Sequence, residues 1–276
     1  MPLSDAINYL QSAPQRVHSA IANAASKTGV DFDFLVREAK IESGLNPQAR
    51  ARTSSATGLF QFTKQTWLSA LKQHGVDHNL GWAADAITRG SDGQYSVADP
   101  GLRARILELR AQPEAAAAMA AELASDHHGF LSEKLGRPPE AVDLYLAHFL
   151  GEAGAARFLD GHDANPEGAA ASLLPAAAQA NRSVFYRPDG TARSFAEIRG
   201  NFAEKLGGAA TAPPRIQSAA QYALAPFSPR RSPGLGLPGG ETDTPKLRSI
   251  EPMPQRLSLD FARDAYRRLA AMNGAS

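Results

Sequence analysis

The distribution of proline sets the first limit on what this chain can fold into. Nine of its nineteen prolines fall within residues 211–256, at 213, 214, 226, 229, 233, 238, 245, 252 and 254. Each one fixes φ and removes a backbone donor. A run such as residues 225–240, APFSPRRSPGLGLPGG, supplies neither a hydrogen-bonded ladder nor a core, and is expected to be a disordered linker. The folded unit must therefore come from the first 210 residues or so. Charge divides at the same place. Residues 211–276 hold nine Lys/Arg and five Asp/Glu, net +4; the chain has 29 and 28, which leaves 20 and 23, net −3, for residues 1–210. The overall +1 describes neither part and gives no electrostatic footprint for nucleic acid. With no cysteine, disulfides, thiolate nucleophiles and Cys-based metal sites are excluded.

The body reads as mainly α, with little or no β-structure. Asp99-Pro100 is an N-cap followed by proline at the first helical position, with Leu102, Ile106 and Leu109 at helical spacing. Asn165-Pro166-Glu167 repeats that start signal. Thr63 is placed to cap a helix through Trp67 and Leu71 that stops at Gly75. Ser194 and Glu197 form a capping box, and Gly207-Gly208 is a stop. Runs of alternating Val, Ile and Thr are scarce. The high alanine content favours helix but carries little weight alone. Beyond the linker, residues 256–272 place Leu257, Phe261, Ala265, Leu269 and Met272 on one helical face. Such a helix docks on its own body, on a partner, or on a membrane surface. The expected organisation is an N-terminal helical extension (1–27) packed on a catalytic domain (28–208), a Pro/Gly-rich linker (209–255) and an amphipathic helix (256–273).

The N-terminus lacks a basic segment followed by an apolar run of about 7–15 residues, so no Sec-type signal peptide is expected. Nor do about 18 consecutive apolar residues occur anywhere, as a membrane span would need.

The stretch that carries chemistry begins at Phe34-Leu-Val-Arg-Glu-Ala-Lys-Ile-Glu42-Ser43-Gly44-Leu45-Asn46-Pro47 and continues through Gly58-Leu59-Phe60-Gln61 to Thr66-Trp67. Leu35 and Ala39 mark a buried helix face, and Ser43-Gly44 marks that helix's end. Glu42 then sits in the last turn, where the negative end of the helix dipole favours the protonated carboxyl, as a general acid requires. Gly58 permits close backbone approach, so residues 59–62 are expected to line a cleft beside Glu42.

These ordered elements, Glu-Ser, Asn-Pro, Gly-Leu-Phe-Gln and Thr-Trp, resemble the soluble lytic transglycosylases, whose domain has the goose-type lysozyme-like fold. Phe60 stands where that family usually has methionine, a conservative change in an apolar wall. The resemblance implies cleavage of the β-1,4 bond between N-acetylmuramic acid and N-acetylglucosamine in peptidoglycan, with a 1,6-anhydro product and no cofactor or metal. It assigns Glu42 as the single acid/base, Ser43 and Gln61 as supports for the acid or the sugar, and Phe60 as wall. The family's Ala-Tyr-Asn-Ala-Gly motif falls at Leu146-Ala-His148-Phe149-Leu150-Gly151-Glu-Ala-Gly154, with Phe149 and Leu150 in the Tyr-Asn positions. The tyrosine hydroxyl that supports the glutamate is then supplied by Tyr145 or replaced by His148; with Phe149 these complete the substrate-binding candidates.

Other features read more blandly. Glu38 either faces the cleft or, as the ordinary expectation, pairs at the surface with Lys40 or Arg37. His74 and His78 have a metal-competent spacing but no third ligand at motif spacing. His127-His128 is expected at a surface or helix end. Trp67 is expected in the core, and Trp82 is left open. The implied partners are peptidoglycan strands and, through the basic tail, a secretion, flagellar or phage-like assembly. The implied site of action is the cell envelope or periplasm, with the export route open. Two competing readings stand beside the transglycosylase: a hydrolytic muramidase or chitinase-like enzyme on the same fold, and a catalytically silent wall-binding scaffold.

Overall fold

A computed structural model describes residues 13–52 and 54–207. The expected linker and C-terminal helix, and the first twelve residues of the expected N-terminal extension, lie outside the described residues.

The fold is organised around one long helix. Helix α1 (Ala13–Thr28) is followed by α2 (Phe32–Ser43), α3 (Lys64–His74), α4 (Gly81–Ala86), α5 (Pro100–Glu108) and α6 (Pro113–Leu135). After α6 come α7 (Ala141–Leu150), α8 (Glu152–Ala164), three short helices α9 (Ala170–Leu173), α10 (Pro175–Ala180) and α11 (Arg182–Phe185), and α12 (Phe195–Lys205). Among the described residues the one sheet is a hairpin, β1 (Thr88–Arg89) antiparallel to β2 (Tyr95–Ser96), with Thr88 opposite Ser96 and Arg89 opposite Tyr95.

The first half of helix α6, from Ala115 to Ala121, is apolar all round, and the helix is packed by α1, α2, α3, α7 and α8, as expected of a helix inside a domain rather than on its surface. Its alanines at 115–118, 120, 121 and 124 are all buried. Small side chains let neighbouring helices approach closely, and α1 lies along α6 through the stripe Val17, Ala20, Ile21, Ala24 and Ala25. The alanine content therefore reflects close helix packing as well as helix propensity.

The caps work as the residues suggest. Asp31, Thr63 and Asp99 accept from the backbone N–H groups of Phe34, Thr66 and Leu102. Ser194 and Glu197 close a reciprocal capping box, and helix α3 stops before Gly75. Asn165-Pro166 does not start a helix. Asn165 ends α8, the Asn165 carbonyl accepts from Gly168 in a turn, and the Pro166 carbonyl accepts from Ala196. Pairing with the start of α12 uses the backbone that a helix there would need.

Two clamps fix the site-bearing helices. Asp143, fully buried in α7, accepts from Arg137 and Arg199, while Arg199 also reaches Glu140 at 2.6 Å. On the same helix pair, Phe202 of α12 meets Tyr145 and Phe149 of α7 at ring-centroid distances of 5.4 and 5.0 Å.

Candidate active site

Glu42 owes its place to the way α2 ends. Gly44 adopts a left-handed conformation at φ +63°, its N–H returning to the Lys40 carbonyl, and the Leu45 N–H returns to the Ala39 carbonyl. That termination leaves Glu42 in the last turn, on the face that buries Phe34, Leu35 and Ala39. Its side chain is 0 % exposed. Tyr145 on α7 donates its hydroxyl to Glu42 Oε1 at 3.2 Å, and His148, three residues further along α7, brings Nε2 to 3.6 Å from the same oxygen. The two rings stack with centroids 5.9 Å apart.

Glu38 is the main correction. It is not a surface residue paired with Lys40 or Arg37. It is buried at 4 % exposure, one turn before Glu42 on the same face, with Oε1 3.0 Å from His148 Nδ1. His148 thus bridges two buried carboxylates. Burial alone would lower the imidazole's pKa. The charge of Glu38, the hydrogen bond to it and the nearby Glu42 outweigh it and lift His148 from 6.5 to about 10. Tyr145 is pushed well above 10 by burial, by the charges of Glu42 and Glu38, and by its bond to Glu42. It therefore stays a hydroxyl donor at any ordinary pH.

His127 is the second correction. It is neither at the surface nor at a helix end; it lies inside α6 and is 7 % exposed. Burial, and then the charge of His148, pull it down to about 4, so it is neutral near pH 7. Glu38, His127 and His148 share a cavity with Phe34, Phe60 and Phe62. Its volume of about 10 Å³ is close to the room one water needs. Glu38 Oε2 has no hydrogen-bond partner among the described residues.

The other wall comes from residues 55–62. Gly58 sits at φ +86°, and a Cβ there would lie 1.8 Å from the Arg110 carbonyl oxygen, so only glycine lets these backbones meet. The Arg110 side chain also clips the loop: its guanidinium donates to the carbonyls of Ser55 at 2.6 Å and Phe62 at 3.0 Å. Gln61 is held at φ +49°, with Nε2 donating to Gly58 O at 2.6 Å. Its buried Oε1 has no partner among the described residues. A strained non-glycine residue that leaves a buried acceptor over is characteristic of a site kept for something other than stability.

Not every candidate meets Glu42. Phe60 lines the small cavity and is 1 % exposed. Ser43 donates its hydroxyl to the Ala39 carbonyl and accepts from Asn46 N–H, capping the helix end. Phe149 is buried against Phe202. Trp67 is in the core, its Nε1–H donating to the Ile106 carbonyl at 2.8 Å. Trp82 is 42 % exposed, beneath the Arg105 guanidinium at 5.5 Å. His74 and His78 pair with Asp126 and Glu122 of α6. No group of three or more His, Asp or Glu among the described residues is arranged to hold a metal ion.

Sequence reasoning held Glu38 in the cleft only as the lesser alternative, and it missed His127 as part of this cluster. The signal for Glu38 was its four-residue spacing from Glu42 on one helical face; His127 had no local signal.

The helical architecture and the buried acid at the end of α2 define a mainly α domain of the lysozyme-like class. Residues 19–81 match the family model of the transglycosylase SLT domain, in agreement with the motifs from Glu42 to Trp67. At the level of that family the match supports transglycosylase-type cleavage of peptidoglycan glycan. The matched segment contains Glu42, Ser43, Phe60 and Gln61, and it ends before Tyr145, His148 and Phe149. Among the described residues no helix is long and apolar enough to cross a membrane.

Proposed function

We propose that this protein is a peptidoglycan lytic transglycosylase in which Glu42 is the single acid and base. The observation that carries the reading is a buried carboxylate at the end of α2, inside the matched segment, with a tyrosine hydroxyl on one oxygen. In this reading Glu42 gives its proton to the glycosidic oxygen between N-acetylmuramic acid and N-acetylglucosamine. The C1–O bond breaks, and the substrate's N-acetyl group assists at C1. The Glu42 carboxylate then takes the proton of the muramoyl C6 hydroxyl, whose oxygen closes on C1 to give the 1,6-anhydro sugar. No water is consumed. A single carboxylate suffices, as in other substrate-assisted glycosidases. Tyr145 fixes the carboxylate through Oε1, Phe60 and Gln61 shape the wall, and the site of action is the cell wall. The basic tail joins a secretion, flagellar or phage-like assembly.

Glu42→Gln assayed on purified sacculi tests the acid. The expected loss is about 10²–10⁴-fold in rate, and full activity in the variant would remove Glu42 from the mechanism. Mass analysis of the products tests the reaction type: sugars one water heavier than the anhydro form would make the enzyme a hydrolytic muramidase instead. One observation favours a second reading. The Glu42 side chain is wholly covered, and a catalytically silent wall-binding scaffold needs no access to it. Wild-type protein that binds sacculi but releases no sugar would decide for the scaffold.

A further inference from the structure

The transglycosylase reading uses Glu42 and leaves a second buried acid without a purpose. Glu38 is not placed for contact with a glycan strand. It is 4 % exposed, and Oε1 is engaged with His148 Nδ1 at 3.0 Å. The opposite ring nitrogen of His148 faces Glu42 Oε1 at 3.6 Å. An imidazole that meets a carboxylate at each nitrogen can donate to both only when both nitrogens carry protons. A neutral ring would leave one of its two nitrogens with no proton to offer the carboxyl group it faces.

We infer that Glu38 is a positioning residue that holds His148 as an imidazolium against Glu42, so that the His148–Glu38 pair joins the Tyr145 hydroxyl in orienting the reacting carboxyl. This rests on the glycan-cleaving reading above and adds a residue that reading does not contain. The titratable groups reaching His148 are Glu38 and Glu42 from α2, Tyr145 from its own helix, and His127 from α6. His127 is already held neutral, which spares His148 a second cation at close range. Tyr145 keeps its proton. The two carboxylates therefore dominate, and the raised affinity of His148 for its second proton has the sign this arrangement requires. Two donors then converge on Glu42 Oε1, one from Tyr145 and one from His148. A movement of a few tenths of an ångström would bring the 3.6 Å approach within hydrogen-bond range.

The test combines NMR with kinetics. In the wild type at pH 8, the ¹⁵N shifts of the His148 ring should report both nitrogens protonated. Glu38→Gln should lower the His148 pKa by at least about one unit, and Glu38→Asp should restore most of it. On sacculi, Glu38→Gln should lower kcat by about 10–100-fold with KM little changed, and should move the alkaline limb of the pH profile to lower pH. A neutral His148 in the wild type at pH 8 would overturn the inference, and that measurement does not depend on a variant folding. A fallen His148 pKa with unchanged kcat and pH profile would also overturn it, by making the pair merely structural. Wild-type protein inactive on sacculi would instead sink the glycan reading, and with it the catalytic purpose of the pair. The NMR result still separates the two failures.

Discussion

Gly58→Ala probes the wall of the candidate site where the geometry is least forgiving. The added Cβ would stand 1.8 Å from the Arg110 carbonyl oxygen and 2.8 Å from its carbon. Real Cβ atoms do not approach within 3.0 Å, so the two backbones must separate by about 1.2 Å (3.0 minus 1.8). Neither is a flexible side-chain end. Residues 55–62 are tied to Arg110 through the bonds to Ser55 and Phe62, and Gln61 bonds to Gly58 itself. An alanine at φ +86° costs about 1–2 kcal/mol for the left-handed conformation. Overpacking adds about 1–3 kcal/mol. The sum, about 2–5 kcal/mol, lowers the melting temperature of a domain this size by about 4–20 °C. Gly136→Ala is the control: it shares the left-handed conformation at φ +63° but meets nothing within 4 Å. It should lose only the conformational part, about 1–2 kcal/mol, or about 2–8 °C. Thermal unfolding followed by circular dichroism compares the two. Equal shifts would refute the close approach of Gly58 to Arg110.

Three further outcomes are expected. Tyr145→Phe removes a donor from a buried carboxylate and should cost about 1–3 kcal/mol in urea unfolding; no loss of stability would mean that the hydroxyl does not hold Glu42. Asp143→Ala strands the Arg137 and Arg199 guanidiniums and the Glu140 N–H, so about 3–5 kcal/mol should disappear, whereas a change under about 1 kcal/mol would reduce the clamp to a surface contact. His127 has a folded pKa of about 4, below its unfolded 6.5. The unfolded state therefore takes up the proton first, and stability falls as pH drops from 6.5 toward 4, by about 3 kcal/mol across the window. His127→Gln should flatten that fall between pH 7 and 5, and an unchanged slope would show that His127 does not titrate in this way.

How far the site could be read from residues alone depended on distance along the chain. The stop at Ser43-Gly44, the caps at Thr63, Asp99 and Ser194, and the need for glycine at 58 are all legible, because each rests on groups within a few residues of one another. Glu38 shows where such reading fails. On α2 its four-residue spacing from Phe34 and Glu42 points into the core, whereas its charge argues for solvent, and nothing within a few residues decides between the two. The choice falls to α7, which carries His148 and begins a hundred residues later. Asn165-Pro166 shows the converse, a sound local start signal overruled when the start of α12 takes its backbone.

By itself the sequence determined a mainly α body and a motif with its acid at a helix end. Tertiary structure alone decided what surrounds that acid. The Tyr145 hydroxyl that meets Glu42 comes from 103 residues away, and the imidazole between Glu38 and Glu42 comes from the same helix. The reason is physical. Turns and caps are fixed by short-range sterics and hydrogen bonds, whereas the charge state of a buried group is fixed by which distant segments exclude water from it.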